Sequence, residues 1–523
     1  MIQPGGPAES APDARPANPL EPVNPAGEPE LPAEGSVGTQ ALRGVPWTVV
    51  SFALSRGTQL IGTIVIARLV PPAQIGVVLT GLVVVNTFNL LADNGLSISL
   101  VVREDRDDRL VGTVLTLMVG FALAGVAIAA SLAGPISDLF GSPKLADVLP
   151  LLSLTIVTST IIWLLTNLLQ REMLWRERFA GQFALAAGYV AVAVPCAALG
   201  AGLWSMVAGQ LAAGVLATVV LWRVYPFALR PRFDRRLARR ALAESRSFVS
   251  QSMSSFMIEN LHYIAVSAIL GSEPMALYSM SCRLTELPNK AVAGPVSEAA
   301  FPAYVRLRDD PERRAATLAT SLRYVTLATL LPLAVLAASA PDFISVVLGP
   351  RWRGADTILV VLCVWGAVTG PSGMLGWFVN ANSGARFLAS INLVRLFVLA
   401  PAIFAAAAVF GSAAVVAALV GLDSMTVLVP LIVYADRRLA ASYLRVLRSM
   451  ALPLLAAAAA LLAGLFLRTQ LHDHGVGALP RLLLVALAGL VVYVATIALL
   501  DRGMLVELRG LLKRALGGRT APA

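Results

Sequence analysis

The chain has 523 residues, 57% of them hydrophobic, with a mean hydropathy of +0.75 and a formal charge of +10. Such a composition belongs to a polytopic membrane protein and leaves no room for a soluble catalytic domain. The basicity does not indicate a nucleic-acid partner, because the charges lie between long apolar runs.

Residues 1–40 carry nine prolines, six acidic residues and one basic residue, Arg15. They cannot bury enough apolar surface to offset their ordering entropy, which predicts a disordered cytoplasmic tail. No basic stretch leads into an apolar run there, so this is not a signal peptide, and the first span is expected to act as an uncleaved insertion signal. From Val45 onward, fourteen apolar segments of membrane-spanning length follow. They fall at 47–68, 75–100, 111–134, 149–170, 180–200, 204–222, 249–270, 275–301, 319–340, 357–380, 388–410, 412–434, 450–467 and 482–500. The predicted fold class is therefore all-α and polytopic. The three cysteines, Cys196, Cys282 and Cys363, all sit inside apolar runs and form neither a disulfide framework nor a metal pattern.

With the N-terminus inside, the connections on the inner side carry 30 Lys and Arg and the outer loops carry six. That asymmetry in mostly short loops places both termini in the cytoplasm, and the Ala/Arg-rich usage with only three lysines points to a GC-rich bacterial genome, hence a bacterial cytoplasmic membrane. The longest inner connection contains FDRRLARRALAESRSF, from Phe233 to Phe248. It places Phe233, Leu237, Ala241 and Leu242 on one helical face among arginines. Either it lies on the anionic inner leaflet, which makes anionic lipids a partner of the 224–248 linker, or it is a basic linker that fixes topology.

Spans 1–6 and 7–12 read as two copies of one unit. ISDLFGSPKLAD from Ile136 and ISVVLGPRWRGAD from Ile344 repeat Ile, Ser and Gly at the same offsets, each in the third outer-facing position of its half. LVPPAQIG (Leu69 to Gly76) and LGSEPMALY (Leu270 to Tyr278) occupy matching turns. Six spans return the chain to its starting side, so the lobes are parallel repeats about an axis along the membrane normal. Substrate in such transporters sits between the lobes. The expected organisation is a tail at 1–40, a first lobe at 41–223, a linker at 224–248 and a second lobe at 249–434. Spans 13 and 14 with a basic C-terminus fill 435–523.

Ionisable residues inside a span are costly and normally face a cavity or a partner. Span 1 carries Arg56 beside Ser51, Ser55 and Gln59, and span 2 carries Asn86, Asn89 and Asp93 on one face. Span 7 carries Ser255, Glu259 and His262; span 8 carries Arg283, Glu286 and Lys290, with Pro288 as a kink. Spans 11 and 12 carry Arg395 and Asp423. Arg56, Arg283, Lys290 and Arg395 suit a diphosphate or an acidic sugar. Asp93, Glu259, Glu286, Asp423 and His262 suit a coupling ion or charge pairing. The competing structural reading pairs Glu286 with Lys290 at i, i+4 and Arg56 with Asp93. Arg323, at the start of span 9, reads as a snorkelling residue. His472-Asp473-His474 on an outer turn is too sparse for a metal site, and no cofactor is expected. No phosphate-cradling GxxxxGK[ST] loop occurs.

Three stretches together resemble a known family. ARLVPPAQIGVVLTGLVVVNTFNLLADNGLS (Ala67 to Ser97), YSMSCRLTELPNKAVAGPVSEAAFPAYVRLRDD (Tyr278 to Asp310) and LGPRWRGAD (Leu348 to Asp356) occur in the order seen in bacterial polysaccharide and O-antigen repeat-unit flippases. These belong to the multidrug/oligosaccharidyl-lipid/polysaccharide exporter superfamily. The chain departs in Ile75, where an aromatic is common, and in its long acidic-proline tail. The resemblance implies two six-helix lobes plus two further helices. It also implies translocation of undecaprenyl-diphosphate-linked oligosaccharide to the outer leaflet, coupled to H+ or Na+ or driven by the membrane potential, alongside a polysaccharide polymerase and export machinery. From related lipid II flippases it implies roles for Arg56, Arg283 and Asp93. The rival readings are a cation-coupled multidrug exporter, a lipid II flippase for peptidoglycan assembly, and a non-transporting scaffold.

Overall fold

A computed structural model describes residues 54–93, 96, 108–172, 174–224, 232–307, 309–439 and 441–501. The predicted tail at 1–40 and the basic C-terminus from 502 lie outside the described residues. A backbone crossing lipid must satisfy its own hydrogen bonds, which restricts long apolar segments to helices. Among the described residues all regular structure is helical.

The helices are α1 (54–69), α2 (Pro72–Asp93), α3 (Asp108–Ser131), α4 (Lys144–Ser153 continued by Thr155–Arg171), α5 (Trp175–Ala198) and α6 (Leu203–Val224). They continue as α7 (Arg235–Ala265 with a π turn at Val266–Leu270) and α8 (Ser272–Pro288, a π turn at Asn289–Ala293, then Gly294–Arg306). The remainder are α9 (Pro311–Ala338), α10 (Ala355–Ala381), α11 (Ala385–Phe410), α12 (Ala413–Leu439), α13 (Tyr443–Asp473) and α14 (Ala478–Leu500). Twelve of the described helices are long and apolar enough to cross a membrane. They coincide with twelve of the fourteen predicted spans. The other two predicted spans are α1 and α8, the second of which is interrupted by its π turn and carries four charges within residues 275–301.

Several helices run past the apolar segments because capping, not hydropathy, ends them. The Asp234 side chain accepts from the N–H groups of Arg236 (2.7 Å) and Leu237 (3.2 Å), so α7 starts at Arg235 rather than near 249. Asp310 caps α9 by accepting from the Arg313 N–H, with Pro311 in the first turn. The amphipathic stretch of the linker is thus the first part of α7. Its Leu237 and Ala241 pack into a cluster with Leu110, Val114 and Leu164 of α3 and α4, while Phe233 and Leu242 remain exposed.

Small residues let neighbours approach closely, as membrane packing favours. Gly188 and Gly209 sit at the contact of α5 with α6, where Ala213 and Ala193 fill the facing positions. The α13–α14 hairpin packs on α9 through Ala456, Ala457, Ala460 and Tyr493, whose hydroxyl donates to the Leu327 carbonyl (2.8 Å). At the Lys/Arg-poor side, here called outer, Arg468 and Arg481 both bond Asp342, a residue only 2% exposed. Arg481 also meets the His472 ring. Arg323 pairs with Asp501 instead of snorkelling.

The distribution of apolar clusters distinguishes the two ends. On the outer side a single buried cluster joins both halves, from Ile66, Val70 and Ile75 to Val266, Leu348 and Trp352. On the inner side the cores are separate: one around Tyr304, Leu322 and Phe378, the other around Val114, Met118 and Leu164.

A charged cavity as the candidate functional site

Between the halves lies a cavity of about 970 Å³, walled by α1, α2, α7, α8, α10, α11 and α12. Arg56, Glu259, His262, Arg283, Glu286, Lys290, Arg395 and Asp423 all line it. Eight of the nine residues singled out from sequence therefore converge on one space, although they come from five helices and span more than 360 positions. The ninth is Asp93, whose side chain lies outside the described residues, so its pairing with Arg56 is not described either.

Four cations and three carboxylates face one another in this cavity. Lys290 and Glu286 pair at i, i+4, the arrangement expected from their spacing. Arg395 and Asp423 form a bidentate pair, its Nε 3.1 Å from both carboxylate oxygens and its Nη2 also bonded. The Arg56 Nη1 donates to Gln59 Oε1 (3.2 Å). Arg283 and Glu259 have no ion-pair partner among the described residues. Arg283 is thus a cation exposed to a polar space and, among the described residues, no carboxylate is bound to it. His262 is buried against Tyr263 and Tyr278, with ring centroids 4.2 and 5.4 Å away.

The shape of α8 follows from Pro288. Its missing N–H removes one helical bond, and the chain continues as a π turn over Asn289–Ala293. Asn289 Nδ2 then reaches across to the Gly366 carbonyl and Thr369 Oγ1 of α10, both at 2.8 Å. This turn presents Lys290 to the cavity while fixing α8 to its own half.

The outer roof of the cavity is closed by contacts that exchange between halves. Trp352 Nε1 donates to the Ala67 carbonyl (2.8 Å), and Arg68 Nε donates to that of Val347 (2.9 Å). The loop after α9 thus seats on the α1–α2 turn. Conversely, Ser142 in the loop after α3 lies 3.4 Å from Ser272 at the α7–α8 turn. The two turns themselves meet, because a Cβ on Gly76 would overlap the Ser272 carbonyl oxygen. Thr80 and Ser267 hydroxyls bond at 2.5 Å just below. Gly141 and Gly349, the matched glycines of the two repeat loops, both lie in the left-handed region, at φ 55° and 100°.

Gln59, Asn86 and Ser255 were picked out from sequence, but other neutral polar residues of the wall were missed. Gln210 lines the cavity, and Gln182 and Tyr189 line a smaller space beside it. A glutamine in the middle of an apolar helix was the available signal in both cases.

With this geometry in place, comparison with known proteins is informative. The profile of the polysaccharide biosynthesis protein family matches residues 65–356, more than half of the chain, and the chain belongs to that family. It is 27% identical over 488 residues to the succinoglycan biosynthesis transport protein ExoT of Rhizobium meliloti (strain 1021), covering 92% of this chain and 97% of that protein. It is 22% identical over 427 residues to the lipopolysaccharide biosynthesis protein WzxC of Escherichia coli (strain K12), covering 80% and 85%. Among solved structures, a lipid II flippase MurJ in an inward closed conformation matches with a TM-score of 0.68 at 12% identity, over 88% of this chain and 99% of that one. An inward-facing multidrug resistance transporter of the MATE family matches with a TM-score of 0.56 at 13% identity, over 74% and 94%. These two likenesses show the fold.

Proposed function

We propose that this member of the polysaccharide biosynthesis protein family is a flippase. It carries undecaprenyl-diphosphate-linked oligosaccharide from the inner to the outer leaflet of the cytoplasmic membrane, for surface polysaccharide assembly. The observation that carries this reading is Arg283: a guanidinium in the central cavity, near the middle of α8, without an anion partner among the described residues. With Arg56 on the opposite half, it provides a bidentate seat for a diphosphate, which no aromatic and acidic drug cavity would offer. The full-length similarity to a succinoglycan transport protein supports the same substrate class.

Translocation proceeds by alternating access. The separate inner cores and the joined outer core correspond to a state open toward the cytoplasm. Headgroup binding at Arg56 and Arg283 is followed by closure of the inner side and rupture of the outer roof. The lipid tail stays in the bilayer between the halves. Glu259 is the best-placed site for a coupling H+ or Na+, since Glu286 and Asp423 are already held by cations.

The test is Arg283→Ala in cells that depend on this protein for a surface glycan. Undecaprenyl-diphosphate oligosaccharide should accumulate on the inner leaflet and surface glycan should be lost, with the protein still present in the membrane. Normal surface glycan in that strain would refute the assignment.

A further inference from the structure

A second space of about 310 Å³ opens off the central cavity into the first half. Its neutral polar lining includes Ser55 and Gln59 of α1, Gln182 and Tyr189 of α5 and Gln210 of α6, beside apolar side chains such as Leu79 of α2 and Met280 of α8. Arg56 and Arg283 line both this pocket and the cavity, so they stand at its mouth. Among the described residues, no carboxylate lines it.

Gln59 already accepts from Arg56, but four other polar groups of the pocket are unspent among the described residues. The Ser55 hydroxyl is buried without a hydrogen-bond partner. Gln182, Tyr189 and Gln210 side chains make no hydrogen bond among the described residues. Polar groups inside a membrane domain are costly when idle, and a cluster of several is explained by a ligand that satisfies them. Each amide offers a donor pair and an acceptor, which suits neighbouring hydroxyls on one ring, and Tyr189 adds a flat apolar surface. The volume, at the lower end of the range of about 300–1,000 Å³ for small-molecule pockets, holds a monosaccharide unit and not a whole repeat unit.

We infer that this pocket is the seat of the first sugar, the one attached to the diphosphate, and that it takes a neutral, hydroxyl-rich pyranose. The inference rests on the flippase reading: once Arg56 and Arg283 hold the diphosphate, the next group on the ligand lies at the pocket mouth. The interior then offers only amides, hydroxyls and a phenol. An anionic first sugar would compete with the diphosphate for the two guanidiniums at the mouth and meet no further cation inside, and an amino sugar would be repelled by those guanidiniums. Sugars farther along the repeat unit stay in the wide central cavity, which leaves the outer part of the glycan loosely read.

The experiment uses full-length protein in proteoliposomes. Three probes are compared: a polyprenyl diphosphate without sugar, the same lipid bearing a neutral hexose, and the same lipid bearing a uronic acid. Wild type should flip the hexose lipid at least about tenfold faster than the uronic acid lipid. Gln182→Leu and Tyr189→Leu, which touch the side pocket and not the central cavity, should each slow the hexose lipid about tenfold relative to the sugar-free lipid. The sugar-free lipid also reports whether each variant is folded. Equal slowing of both lipids, or an unchanged ratio, would overturn the sugar seat while leaving the flippase reading intact. Failure of wild type to flip any of the three would overturn the flippase reading and the sugar seat with it.

Discussion

The outer and inner ends of the cavity are built from the same repeated helices, yet they hold the halves together differently. At the outer end the halves touch through backbone: Trp352 and Arg68 donate to carbonyls, and Gly76 rests against Ser272. One apolar cluster runs through the contact. At the inner end each half keeps its own core, and charged side chains face the space between. Small residues and carbonyl acceptors allow a dry closure; paired and unpaired ions do not, because desolvating them costs more than the contact returns. The position of the charges thus determines which end closes without ligand.

The strongest way to break this difference is Gly76→Ala. The added methyl meets backbone, which cannot swing aside, so the outer roof should fail to close. With Cys196 replaced by Ser and Leu348 by Cys at the cavity roof, labelling by a membrane-impermeant thiol reagent from outside should rise severalfold. Unchanged labelling would show that the roof does not depend on this contact.

Next in size is Asp423→Asn. It leaves Arg395 in a half-buried site with a neutral partner, at an expected loss of about 3–5 kcal/mol, as when one member of a buried pair is removed. Arg395→Met combined with Asp423→Leu should recover most of that stability in thermal unfolding. Equal loss in the single and double variants would mean that the pair is not structural.

Lys290→Met sharpens the comparison within the cavity. The Lys290 side chain is 60% exposed, so its bond to Glu286 should contribute only about 0.3–0.5 kcal/mol. Stability should barely change, whereas flipping should fall if Lys290 touches the substrate. A large drop in stability would reverse this ranking.

The smallest effect is expected at Asp234, which caps α7. N–H groups of Leu237 and Arg236 hold its carboxyl below the ordinary range. A lowered folded value means that the cap is fully stabilising above the unfolded value of about 3.9 and weakens as pH falls through the folded one. The protection of amides 235–240, as exchange relative to the unstructured-chain rate at the same pH, should fall on acidification below about pH 4 in wild type. Asp234→Ser should remove that pH dependence, and its persistence would place the acid sensitivity elsewhere.

Much of the site was legible in the chain because the membrane makes buried charge conspicuous. Arg283, Glu259 and Arg395 stand out against their apolar neighbours, and all three line the cavity. The Glu286–Lys290 pair follows from helical spacing. The Arg395–Asp423 pair does not, since its members are 28 positions apart on separate helices. Neutral Gln182 and Gln210 carry no charge, so they signal less strongly than the buried ions although a glutamine in an apolar helix was there to be read.

By itself, the sequence carried the order of the apolar spans, twelve of which are helices long and apolar enough to cross a membrane, together with the expectations of sidedness from charge count and of two six-span units. All three depend on period, length and charge, which are local quantities. Only the tertiary structure decided which charges neutralise one another, which cation is left for a ligand, and that the outer end is closed through backbone carbonyls. Those outcomes depend on distances between helices far apart in the chain, and hydropathy holds no record of them.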